Sequence, residues 1–483
     1  MRWAWLIAVL PLLGWWLTGL LDLDEGFYGA VTGEMLWRGE WITPFYNGAP
    51  WFEKPILLYW LAKPLIWIFG DALGPRLPSV LAALGVYWVL YRAGNKYLGD
   101  RAGLFAMLVC ATSVLWVGLG RMMMTDALLV LCITGAVLAF WESLHGGPRA
   151  RWLAGFLLGV SVLAKGPVGC VLFVLLYGWV FWRMPALRPK FRGGWLIGTA
   201  LFALAVASWY VPCYLANRDL FVEKFLIEQN VKRFQGGDKA HTVPGLLALI
   251  YYPAILLVGM IPWSVQIRRA WPKLLDAASP ERDFKRLCAA WASVVFIFFF
   301  VGGSKLPHYI APCIPPLSLL IGAHLAQTRF QWSDTKVLQR FAIGALTLCV
   351  IANLAFYGVY QGLFSNDSHA EIHALAKRAR AGGGTVAVYQ ISRRGGDLGT
   401  GQAKLQETSH PSVVFYLKQP VLQLETPQEI SALKGPTWII TRPDRLSKAD
   451  LLAIQKNGTR MELDPGSSSM RGYRLYRAEP SRR

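Results

Sequence analysis

MTDALLVLCITGAVLAFWES, residues 124–143, carries charge only near its ends, at Asp126 and Glu142. Twenty residues of α-helix rise about 30 Å, the thickness of the hydrocarbon core of a bilayer. The run reads as a membrane-spanning helix. Apolar windows recur on both sides of it, at 3–21, 77–93, 102–119, 152–164, 166–182, 194–214, 245–266, 288–303, 309–325 and 341–361. Together they predict a polytopic all-α membrane protein with about eleven transmembrane helices. Composition agrees, since hydrophobic residues make up 54% of the chain and charged residues 16%, against about 25% charged in a soluble domain. A string of soluble domains is excluded. The net charge of +20 would ordinarily suggest a nucleic-acid partner. Here the basic residues fall between apolar runs, so topology explains them and no nucleic acid is expected.

The positive-inside rule then orients the chain. With the N-terminus cytoplasmic, the inner segments carry 19 basic residues against 6 acidic, whereas the outer segments up to 361 carry 12 of each. Eleven spans leave residues 362–483 on the outer face. This predicts a transmembrane domain over 1–361, with a long outer loop at 22–76, and an extracytoplasmic α/β domain over 362–483. In that tail the alternating runs Thr385–Tyr389, Val413–Leu417 and Thr437–Thr441 are strand candidates, and Ser368–Ala381 is a helix candidate. The first window has one basic residue before it and no small-residue cleavage site, so it reads as a retained helix. The seven cysteines all fall in apolar stretches with no metal-ligand spacing. They read as small buried hydrophobes, with neither disulfides nor a metal expected.

Ionisable residues collect on one predicted face. The 22–76 loop holds Asp22, Asp24, Glu25, Glu34, Glu53, Lys54 and Lys63 among aromatics, with two interfacial helix candidates at Gly26–Trp37 and Pro55–Phe69. Arg121, Asp126, Lys165, Arg233, His241, Lys305, His308 and Tyr309 join them from the outer ends of later spans. Singly, each has a plain structural role: Asp24 and Glu25 can cap a helix, Glu53 and Lys54 can pair, and Lys165 can snorkel. Jointly they predict a polar cavity, because charges at membrane depth are costly unless paired or wet. A lipid-linked phosphosugar would suit it. Its anionic leaving group needs cations, and Lys54, Arg121, Lys165, Arg233 and Lys305 are available. A carboxylate could accept a proton from a hydroxyl acceptor, and Asp24 is the natural choice. Trp51, Phe52, Tyr59 and Trp60 could line a sugar or prenyl groove.

The order of motifs resembles a bacterial membrane glycosyltransferase family of the GT-C class, which includes the aminoarabinose transferases of lipid A and is related to protein O-mannosyltransferases. The resemblance is carried by LDLDEGFYGAVTGEMLWRGEWITPFYNGAPWFEKPILLYWL (21–61), RMMMTDALL (121–129), LAKGPVG (163–169), FLIEQNVKRF (225–234), PWS (262–264) and SKLPHYIAPCIPPL (304–317). It covers most of residues 20–325. It implies an inverting hexosyl- or pentosyltransferase with a polyprenyl (undecaprenyl) phosphate-linked donor. The acceptor would be a lipid or glycan on the outer face of the bacterial inner membrane, aminoarabinose transfer to lipid A being one instance. By similarity, Asp24, with Glu25 beside it, matches the acidic first-loop motif, and Asp126 the acid heading the fourth span. Lys54 matches the lysine that contacts the donor phosphate, with Glu53 beside it. Lys305, His308 and Tyr309 match the segment beside the donor cavity. Arg121, Lys165 and Arg233 are assigned to substrate binding on charge and placement. Whether Asp24 acts as general base or orients the sugar is left open.

A carrier monophosphate needs no metal to neutralise a diphosphate, so neither metal nor cofactor is expected. The competing reading is a lipid or sugar transporter or flippase. That predicts charges near the bilayer midplane and two similar halves, and this sequence has neither.

Overall fold

Each apolar window holds a helix in the computed structural model, which describes residues 2–147, 149–188, 195–232, 243, 245–270, 281–327, 335–364, 368–391 and 410–480. Among the described residues six helices are long and apolar enough to cross a membrane: Leu77–Tyr97, Thr125–Leu144, Trp195–Glu228, Arg282–Val301, Pro307–Gln327 and Lys336–Gln361. Two bent pairs, Ala102–Ala111 with Val114–Arg121 and Leu247–Gly259 with Ser264–Ala270, raise the number to eight if each is one span. The remaining windows hold shorter helices, at Arg2–Val9 continued by a 3-10 turn over Leu10–Leu12, at Ala150–Lys165 and at Val168–Arg183. The chain is a polytopic membrane protein. No disulfide joins its seven cysteines.

The chain divides into two compact units. The first comprises Met1–Trp15, Phe52–Leu61 and Arg76–Ala352. Its inner helices are Thr125–Leu144 and Pro307–Gln327, each with 83% of its apolar window buried in protein, while Trp195–Glu228 has only 22% buried. Apolar side chains gain nothing by leaving lipid for one another, so helices in a membrane associate where small residues let backbones approach. Gly155 and Gly159, four apart on Ala150–Lys165, show this. A Cβ on Gly155 would stand 2.1 Å from the Gly198 carbonyl oxygen, and one on Gly159 would stand 2.7 Å from that of Phe202. Both carbonyls belong to the helix that begins at Trp195.

The second unit comprises Trp16–Trp51, Ala62–Pro75 and Asn353–Arg483. Asp24–Trp37 is a helix with ten of its fourteen residues buried. Gly26, Gly29 and Gly33 give it a bare face, and Phe415 packs against Gly29 and Gly33. Strands β1 (Phe45–Tyr46) and β2 (Ala49–Pro50) form a hairpin through Asn47 and Gly48. Both turn residues have positive φ, as a two-residue hairpin turn demands. Five more strands, β3 (Thr385–Tyr389), β4 (Leu422–Leu424), β5 (Thr437–Thr441), β6 (Thr459–Leu463) and β7 (Arg474–Pro480), form one sheet in the order β4-β3-β5-β7-β6. β3 runs parallel to β4 and β5, whereas β7 is antiparallel to β5 and β6. One face of the sheet is filled by Ala387, Tyr389, Ile430, Ile439, Ile454 and Met461.

Two strands read from sequence, Thr385–Tyr389 and Thr437–Thr441, are strands with those bounds, and the helix placed over Ser368–Ala381 is His369–Gly382 with Ser368 as its N-cap. Val413–Leu417 is a correction. It lies in a helix, Ser412–Leu417, whose six residues are all buried. A short run buried on every side has no amphipathic period to separate strand from helix, and its β-branched valines pointed the wrong way.

Candidate active site

In the first unit a cavity of about 420 Å³ opens among the ends of several helices, lined by Glu53, Lys54, Asp126, Lys165 and Tyr309. Local sequence explains the placement. Asp126 is the second residue of Thr125–Leu144 and Lys165 the last of Ala150–Lys165. These consecutive helices pack against each other, so the start of one meets the end of the next. An acid at a helix N-terminus and a cation at a C-terminus both suit the helix dipole. Gly166 ends the second helix at φ 79°, a conformation that a side chain would strain, and Pro167 opens Val168–Arg183. Gly169 lets that helix pass within 2.5 Å, measured from a notional Cβ, of the Ser161 hydroxyl. The motif LAKGPVG is thus a sharp reversal that presents a lysine.

Lys165 Nζ donates to Asp126 Oδ1 at 2.5 Å and lies 4.6 Å from the Tyr309 ring centre. His308 Nε2 is 3.9 Å from the other carboxylate oxygen of Asp126. Lys54 Nζ donates to Glu53 Oε1 at 3.1 Å. Two ammonium groups, each beside a carboxylate, therefore face one space. The wall opposite in chemistry is apolar, from Leu129, Val168, Val171, Phe225, Phe298 and Phe299, and the Gly302–Ser304 turn completes the lining.

Two predicted cations lie elsewhere in this unit. Arg121 is buried and its Nη1 donates to the carbonyls of Pro11 and Leu13, at 3.1 and 2.9 Å. It secures the end of the first helix. Lys305 donates to the carbonyls of Phe299, Phe300 and Gly302, at 3.4, 2.7 and 3.2 Å. Phe299 and Phe300 lie in the last turn of Arg282–Val301 and Gly302 is its C-cap, so the lysine caps that helix. Burial pulls its ammonium below the usual lysine range. Lys305 thereby holds the turn that lines the cavity. Arg233 and His241 lie outside the described residues.

Asp24 and Glu25 belong to the second unit. Asp24 is exposed at the first residue of Asp24–Trp37, whereas Glu25 is buried and its Oε2 accepts from the Leu21 amide at 2.9 Å. Glu34 accepts from Arg38 Nε and the Gly48 amide, both at 2.9 Å. Lys63 donates to the Glu40 carbonyl at 2.7 Å and covers the Trp41 ring.

The residues missed from sequence include Phe225, Phe298 and Phe299, which are ordinary apolar residues of their helices. The glycine pair directly before Ser304 was a visible signal of a turn at the cavity. In the second unit Asp22, His369, His373, His410 and Ser412 gather in one buried network, which no local spacing announces.

A family model described as dolichyl-phosphate-mannose-protein mannosyltransferase matches residues 53–211. An uncharacterized protein of Aquifex aeolicus is 30% identical over 72% of this chain and 76% of its own length. The undecaprenyl phosphate-alpha-4-amino-4-deoxy-L-arabinose arabinosyl transferase of Erwinia tasmaniensis is 28% identical over 74% of this chain, a match that spans 65% of that enzyme. The crystal structure of ArnT from Cupriavidus metallidurans, bound to undecaprenyl phosphate, shares the fold, with a TM-score of 0.79 at 17% identity over 99% of this chain and 97% of that one.

Proposed function

This chain belongs to the polyprenyl-phosphate-dependent membrane glycosyltransferases of the GT-C class, and on that premise we propose that it transfers a sugar from a polyprenyl phosphate carrier to a lipid or glycan acceptor. The observation that supports the reading most directly is the cavity in which Lys54 and Lys165 face one space beside an apolar wall. A polyprenyl phosphate has the matching halves, an anionic head and a hydrocarbon chain. Undecaprenyl phosphate-aminoarabinose as donor and lipid A as acceptor are the leading pair, the donor being the one in the relatives' name and the acceptor following from the resemblance.

In the proposed reaction an acceptor oxygen attacks the anomeric carbon, the bond from that carbon to the phosphate oxygen breaks, and the polyprenyl phosphate leaves with the electron pair. One displacement inverts the anomeric centre. Lys54 and Lys165 stabilise the charge that grows on the leaving phosphate. To do so each turns partly from its carboxylate partner, so Glu53 and Asp126 hold the two ammonium groups in place before the substrate arrives. Tyr309 stacks against Lys165 and limits its swing. Asp24 takes its role from the first-loop motif. It accepts the proton of a hydroxyl acceptor, or, for a phosphate acceptor that is already anionic, orients the sugar and offsets positive charge at the anomeric carbon. The reaction would take place on the outer face of the bacterial inner membrane.

The test is mass spectrometry on the purified chain in detergent with lipid-linked sugars and lipid A. Release of polyprenyl phosphate, with a matching gain in acceptor mass that Asp24→Asn abolishes, is the expected result. Turnover unaffected by Asp24→Asn would remove that residue from the site, and no release from any donor by folded protein would sink the transferase reading.

A further inference from the structure

Asp22, His369 and His410 come from three distant parts of the sequence, yet one ligand atom from each lies within 4.8 Å of the other two. All three side chains are buried in the second unit. We propose that they form a zinc site, separate in its residues from the cavity of the first unit.

The donor set selects the cation. Two imidazoles and one carboxylate are ligands for a borderline ion such as Zn²⁺, whereas Ca²⁺ and Mg²⁺ favour all-oxygen shells. Distances agree. His410 Nδ1 is 3.2 Å from Asp22 Oδ2, close to the edge of a tetrahedron whose metal–ligand bonds are about 2.0 Å. The His369 ring, 5.4 Å from that of His410 and nearly perpendicular to it, would supply the third ligand by closing on the other two. A fourth position is then left for water.

The surroundings have the character of an outer shell. With the metal on Nδ1, His410 keeps its proton on Nε2 and donates it to the Tyr473 hydroxyl, 2.6 Å away. Metal-binding histidines regularly anchor their second nitrogen in this manner. The Asp22 carboxylate is fixed by the Ser412 amide on Oδ1 at 3.0 Å and by the Ser412 hydroxyl on Oδ2 at 2.6 Å. His373 Nε2 in turn donates to that hydroxyl at 2.8 Å. Gly26 completes the enclosure, for a Cβ there would stand 1.6 Å from Asp22 Oδ1. Each ligand leads into a helix: Asp22 into Asp24–Trp37, His369 into His369–Gly382 and His410 into Ser412–Leu417. Zinc would clip these helices together and close a chain loop of several hundred residues, so its binding free energy would add to the unit's stability.

The experiment uses the full chain in detergent, purified without a polyhistidine tag, stripped with chelator, reloaded with Zn²⁺ and desalted before elemental analysis. Wild type should retain about one zinc per chain and gain thermal stability on reloading. His369→Gln should lower retention at least tenfold and abolish the gain. Zinc retained undiminished by His369→Gln overturns the site, and so does wild type that keeps none. Should the variant not fold, X-ray absorption on zinc-loaded wild type decides: a nitrogen and oxygen shell with imidazole scattering supports the site, and a shell lacking it overturns the proposal.

Discussion

Two polar clusters of this protein solve the same electrostatic problem differently. In the first unit carboxylates are matched by ammonium groups around an open space, Glu53 with Lys54 and Asp126 with Lys165. In the second unit the Asp22 side chain is fully buried and is matched by a hydroxyl, an amide and an imidazole. A long flexible lysine can trade its partner for an incoming anion. A carboxylate locked by a serine and enclosed by glycine cannot. Under the proposed function the first arrangement is disturbed by substrate, while the second persists.

The sharpest way to break that contrast uses two acids two residues apart. Asp24→Asn should lower turnover by about 10²–10⁴-fold, the range for a lost acid–base group, with the thermal midpoint unchanged. Asp22→Asn should instead lower the thermal midpoint first. Equal thermal losses in the two variants would erase the distinction. Next in size, Lys165→Met removes the ammonium hydrogen-bonded to buried Asp126 and should cost about 3–5 kcal/mol of stability, read by thermal denaturation in detergent. Adding Asp126→Asn should restore most of the stability while donor affinity stays low. If affinity returned as well, Lys165 would be only a structural partner. Lys54→Ala should weaken donor binding by about 10–100-fold, the worth of a hydrogen bond to a charged group, with little change in thermal midpoint because its pair is part-exposed. Smallest is Gly166→Ala. A side chain at φ 79° should destabilise by about 1 kcal/mol, and an unchanged midpoint would show that the reversal after Lys165 relaxes freely.

Legibility followed the range of the interactions. The membrane helices were readable because twenty apolar residues in a row admit few other structures, and Thr385–Tyr389 because alternation and flanking glycines agree. Asp126 and Lys165 were readable as cavity residues because lipid makes a lone charge conspicuous. Arg121 looked alike from sequence but is held by the carbonyls of Pro11 and Leu13, partners that carry no charge and leave no sequence mark. The broken first window, 3–21, was not evident either, since Pro11 falls inside an otherwise continuous apolar run. Least visible was the meeting of Asp22 with His369 and His410. It depends on contacts across several hundred residues, and nothing in the sequence around any of the three points to the other two.

The hold of Arg121 on Pro11 and Leu13, together with that of Arg76 on the Trp15 carbonyl at 2.6 Å, bears on biogenesis. Helix-end carbonyls in a low-dielectric setting need donors, and these two donors are synthesised 61 and about 110 residues after the carbonyls they serve. This segment is therefore finished by later ones. Until Arg121 has been synthesised, the carbonyls of Pro11 and Leu13 lack this donor, so the helix over Arg2–Leu12 depends for its completion on the end of Val114–Arg121.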